Sequence, residues 1–206
     1  MSVEAAQEFW RWFTKNQRRF RNVEVPEKEA LLDEIQEHLH EYCPDLYFEI
    51  GGMPGETTEL IITAEGKQAL FALVEDLIAR APALEGWSFI AFKPPHGFDF
   101  VTRYGRATVD PETCWFLPLE SPSEPNRVGL RVGCPNYDAT LKSDFGNAVL
   151  VVLDTALGEL RAAREIAGVE VVAAPQAPED EGFIELVELA RYLDWWMARR
   201  SGPKSS

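Results

Sequence analysis

Ala148–Leu153 (AVLVVL) is an unbroken run of six apolar residues, and no run in the chain is longer. It is far short of the ~20 residues that span a bilayer. The run sits inside a longer apolar stretch, Ser143–Thr155, whose content suits a strand or a helix. Its length favours a helix, and a helix is the expectation. The rest of the chain can supply a core around it. Of 206 residues, 46% are hydrophobic and 11% aromatic, which is the composition of a folding chain rather than a disordered one. A chain of this length fits one large domain or two small ones and buries roughly 70% of the surface it exposes when unfolded. No disulfide or metal is required to hold it.

The first segment, Val3–Asn22, reads as a helix, because Ala6, Phe9, Trp10, Phe13 and Phe20 recur at helical spacing. Its other face is basic: Arg11, Lys15, Arg18, Arg19 and Arg21 lie in eleven residues that contain no acid. Pro26–Tyr42 is a second helix. Pro26 suits the first turn, and Glu27 and Glu29 sit near the positive end of the dipole. Leu31, Leu32, Ile35, Leu39 and Tyr42 form its buried stripe, and Pro44 stops it. Glu27, Glu29, Asp33, Glu34, Glu37 and Glu41 oppose only Lys28, so this helix is acidic. A basic helix followed by an acidic one predicts an antiparallel pair with complementary charges, each surface pair worth about 0–1 kcal/mol.

A hairpin follows, with strands Leu46–Ile50 and Glu59–Ala64 around a turn at Gly51, Gly52, Pro54 and Gly55. Gly66 breaks the second strand. Lys67–Arg80 is a helix with a wide apolar face, suited to lying flat on a sheet. Trp87–Lys93 is a strand that Pro94 and Pro95 terminate. Phe98–Leu119 holds two or three short strands with turns at Gly105 and Asp110–Pro111, and Ser121–Asn126 is a loop. Arg127–Cys134 alternates as a strand. Val169–Ala173 is a late strand and Pro175–Gly182 a linker. Phe183–Arg200 is a final amphipathic helix that buries Leu186, Ala190, Leu193, Trp196 and Met197.

This order predicts an α+β fold: a mixed or mainly antiparallel sheet covered by helices, with an N-terminal helix pair and a C-terminal amphipathic helix. Residues 1–200 are read as one domain and 201–206 (SGPKSS) as a disordered tail. The parallel β-α-β alternation of a Rossmann fold is read as absent. An internal echo, in which Lys67–Arg80 or Ser143–Thr155 leads into Trp87–Phe92 or Val169–Ala173, is too faint to count as a repeat.

The chain carries 34 acidic and 20 basic residues, a formal charge of -14. Such a field disfavours nucleic acid and membrane surfaces, and it steers towards basic partners. The basic first helix does not outweigh it. Neither a signal peptide nor a membrane span is read, and the expected setting is cytoplasmic. Cys43, Cys114 and Cys134 are odd in number and widely spaced, with no CxxC pair, so they read as reduced, buried thiols.

Chemistry-bearing motifs are few. There is no GxxxxGK[ST], no GxGxxG and no GxSxG. His38 and His40 are two apart on a helix and point away from one another, so they cannot share a metal. His40 and Cys43 could share a face, but a metal there would need further ligands such as Glu37 or Glu41. No cofactor and no metal are expected. His96 is the more pointed candidate. It follows Lys93-Pro94-Pro95 at a strand end, where Asp99 or Asp110 could orient it and Ser121 or Cys114 act as nucleophile. Arg103 lies close by in sequence. Glu159 follows Gly158, which ends the apolar helix, so an acid there opposes the helix dipole and calls for a buried hydrogen bond or a functional role.

Trp10, Trp87 and Trp196 fall on core stripes, whereas Trp12 and Trp195 fall off them. Their off-stripe position suits a partner surface or the docking of the first helix on the last. Glu59–Gly66 (ELIITAEG), Ala81–Pro94 (APALEGWSFIAFKP), Leu153–Leu160 (LDTALGEL) and Phe9–Phe13 (FWRWF) together resemble an uncharacterised family of bacterial proteins with no assigned activity. That resemblance implies a bacterial, cytoplasmic, single-domain protein and no catalytic residues. The expectation is a non-catalytic binding or regulatory protein of the inhibitor or immunity kind, with a protein partner and an open oligomeric state. The alternative is an enzyme of unrecognised type with its site near His96, Asp99, Arg103 and Glu159.

Overall fold

The computed structural model describes residues 3–21, 28–52, 56–120 and 123–201. Contacts group the chain into two compact units, Met1–Lys93 and Pro94–Ser206. Residues 202–206, most of the expected tail, lie outside the described residues, as do Pro26 and Glu27 of the expected second helix.

The first unit begins with α1 (Val3–Asn16), which tightens into a 3-10 turn at Gln17–Phe20, and α2 (Lys28–Tyr42). Strands β1 (Tyr47–Gly51) and β2 (Thr58–Thr63) pair antiparallel, with Ile50 opposite Leu60. A 3-10 turn at Gln68–Leu70 leads into α3 (Phe71–Ala79), which returns the chain to β3 (Trp87–Ala91). β3 lies parallel to β2, with Leu60 beside Phe89. Aromatic packing and two hydrogen bonds hold the helices to this frame. The Trp10 ring meets Phe89 at 4.7 Å, and its indole N–H donates to the Leu77 carbonyl at 2.7 Å, joining α1 to α3. The Tyr42 hydroxyl donates to the Leu73 carbonyl at 3.0 Å, joining α2 to α3. Among the described residues, the expected charge match between the first two helical segments is seen in Arg19 to Glu34 at 2.7 Å.

The second unit opens with a small hairpin, β4 (Thr102–Tyr104) and β5 (Ala107–Val109). Next come β6 (Trp115–Glu120) and β7 (Val128–Cys134), an antiparallel pair. The apolar stretch is a helix, α4 (Lys142–Leu157), as its length implied. A short helix α5 (Glu159–Glu165) runs into β8 (Ile166–Ala173), which lies parallel to β7. Gly158 separates α4 from α5 at φ 78, a conformation that suits glycine. β9 (Ile184–Glu185) pairs with β6, and α6 (Leu189–Ser201) ends the fold. The sheet order is β8-β7-β6-β9. Phe145, Ala148, Val149, Val152 and Leu153 of α4 share one core with Phe116, Leu130 and Val132 of the sheet.

The fold class is α+β with mixed sheets. Two details of the sequence reading change. A parallel β-α-β element, whose alternation was read as absent, occurs once in each unit. The echo dismissed as too faint is a structural recurrence: each unit contains an antiparallel strand pair, a helical crossover and a third strand parallel to the second. The final helix also starts later than Phe183, because Ile184–Glu185 is drawn into the sheet. No described helix is long and apolar enough to cross a membrane.

Candidate functional site

The strand-end loop after Pro95 is anchored on the last turn of α4. The His96 N–H donates to the Thr155 carbonyl at 2.9 Å and the Gly97 N–H to Ala156 at 3.2 Å. These bonds satisfy carbonyls that a helix end leaves free. They carry the loop to the α4–α5 junction, where Glu159 sits. The side chains diverge in environment: Glu159 is 0% exposed, whereas His96, Asp99 and Arg103 are exposed. No hydrogen bond or ion pair joins His96, Asp99 and Arg103 to one another. Glu159 occupies the first turn of α5, where a carboxylate complements the dipole, so its position needs no catalytic reason.

The other residues weighed with His96 have structural places. Asp110 caps a 3-10 turn by accepting the Glu112 N–H at 3.1 Å. Cys114 is buried against Cys134 with the two Sγ atoms 3.5 Å apart, and the contact and burial together hold the Cys134 thiol well above its ordinary range. Ser121 lies outside the described residues. In the first unit, His38 stacks on Trp12 with ring centres 4.0 Å apart and meets Glu41 at 3.2 Å, and His40 meets Tyr47 edge-on. Both histidines of α2 thus pack against aromatic rings of their own unit. Among the described residues no three His, Cys, Asp or Glu side chains gather as metal ligands.

A different constellation lies between α6 and the far end of the β6–β7 pair. Pro118, Leu119, Glu120 and Val128 form one wall and Tyr192, Trp195, Trp196, Arg199 and Arg200 the other, around a groove of about 520 Å³. These helix residues recur at spacings of three and four and so share one face. Tyr192 is packed on Phe116 at 5.4 Å, which fixes the helix to the sheet, and burial pushes its hydroxyl up from the ordinary value. Trp195 stacks beside Tyr192 at 5.5 Å yet stays 50% exposed. Arg199 lies over Trp195 with its Cζ 4.9 Å from the ring centre, and Arg200 over Trp196 at 4.3 Å.

Of these residues, the sequence reading marked Trp195 as off the buried stripe. It placed Trp196 and Met197 on the buried face: Trp196 packs half-buried against the core and also lines the groove, whereas Met197 is 37% exposed. The strand wall was not legible, since only the fold brings Pro118–Glu120 beside α6. Trp12 finds Phe20 and His38 inside its own unit, so its off-stripe position is explained there. No protein-family model, curated protein or solved structure matches the chain.

Proposed function

We propose that this chain is a non-catalytic binding protein of the inhibitor or immunity kind, working in a bacterial cytoplasm, and that it grips a protein partner in the α6 groove. One observation carries the reading: an exposed tryptophan, a second half-buried one, a tyrosine and two arginines share a groove with an apolar strand wall. Trp, Tyr and Arg are the residue types that dominate binding energy at protein interfaces, because they combine large apolar area with directed polar groups. A surface tryptophan left half in water gains about 25 cal/mol for each Å² of apolar area that a partner covers.

The experiment is selection of a displayed random-peptide library on the wild-type protein, with counter-selection on Trp195→Ala. Trp195 is exposed, so its replacement leaves the core intact. Peptides that enrich on the wild type and not on the variant support the reading. No enrichment, or equal enrichment on both, rejects it.

A further inference from the structure

The arginines of the groove differ from their neighbours in how they are used. Arg127, Arg131, Arg161 and Arg191 of the same unit each hold a carboxylate: Glu124, Glu170, Glu165 with Asp194, and Glu188 respectively. Arg199 and Arg200 hold none among the described residues and rest instead on indole faces. A guanidinium held over an indole by cation–π attraction still has N–H donors to offer, and those donors match a carboxylate.

From this arrangement we infer that the partner segment is acidic: an extended peptide whose carboxylates pair with Arg199 and Arg200 while an apolar residue between them packs on Trp195 and the Pro118–Leu119 wall. This rests on the groove being the partner site. Charge complementarity is local, because a chain of net charge -14 repels a long polyanion. Nucleic acid, with about one charge per 1.7 Å of duplex, meets that repulsion along its whole length, and a short run of carboxylates does not. Glu120 on the strand wall disfavours a carboxylate placed against that wall.

The test is tryptophan fluorescence titration of the full chain with a ten-residue Glu/Leu peptide, its Gln/Leu counterpart and a single-stranded oligonucleotide. The proteins are the wild type and the exposed double variant Arg199→Gln/Arg200→Gln. Saturable binding of the Glu/Leu peptide to the wild type is expected, roughly a hundredfold weaker for the double variant, and weak binding of the Gln/Leu peptide to both proteins. Circular dichroism of the variant keeps any loss from being read as unfolding. Three results overturn the inference: equal binding of the Glu/Leu and Gln/Leu peptides, no dependence on the arginines, or tighter binding of the oligonucleotide. If the library selection yields Trp195-dependent peptides that lack acids, the inference fails and the groove reading stands. If it yields none, both fail.

Discussion

Replacing Tyr42 with Phe removes one oxygen atom from the seam between α2 and α3. The ring is 2% exposed, and its hydroxyl donates to the Leu73 carbonyl at 3.0 Å. Burial first, then the Asp76 carboxylate, pushes the phenol up to about 12. An unfolded chain releases that proton near pH ~10. The folded chain therefore gains stability from the neutral hydroxyl that is whole below pH ~10 and disappears as the pH rises through 12. Two units correspond to about 2.7 kcal/mol as a ceiling. The flank of the hydroxyl carries the Asp76–Arg80 pair, which solvent reaches, and screening there reduces the realised figure to about 1 kcal/mol. At pH 7 the lost hydrogen bond costs about 1 kcal/mol. Urea midpoints for both proteins from pH 7 to 11.5 measure the two effects together. Lysines and the other tyrosines titrate equally in both, so the difference isolates Tyr42. The wild type should lead by about 1 kcal/mol at pH 7, and its lead should shrink above pH 10. A lead that stays constant to pH 11.5, or no lead at pH 7, refutes the argument that a buried, hydrogen-bonded phenol seats α2.

Leu130 is 0% exposed in the core beneath α4, so Leu130→Ala should cost about 2–5 kcal/mol in urea unfolding. Gly105 has φ 55 and its missing Cβ would lie 2.5 Å from the Asp144 carboxylate, which accepts the Arg106 N–H; Gly105→Ala should cost about 1–3 kcal/mol, read by thermal melting. Cys43, Cys114 and Cys134 are 2%, 1% and 0% exposed. An aromatic disulfide reagent should therefore react slowly with the native chain and promptly with three thiols in denaturant.

Periodicity and local breakers were enough for α2, α3 and α4, because each has a stripe long enough to outvote its ends. They were not enough for Ile184–Glu185. Nothing in two residues distinguishes a strand from a helix start, and β9 exists only because β6 offers an edge that Trp115 and Phe116 can pair with. The same reason explains why β8 runs from Ile166 rather than Val169: residues 166–168 gain strand geometry by lying beside β7, across a bulge at Val128 and Gly129. Glu159 misled for a related cause. Read along the chain, it follows a helix end; in three dimensions Gly158 turns the chain sharply enough that the same residue begins a new helix, and the sign of the dipole at its carboxylate reverses. The groove shows both halves of the lesson. Its helix side was visible only as a tryptophan off the stripe; the two arginines that follow it carried no mark. Its strand side, Pro118–Glu120, lies seventy-two residues before Tyr192 and has no local mark at all. A site assembled across a sheet and a helix is legible in sequence only through the residues whose burial fails to fit their element, and Trp195 is that residue here.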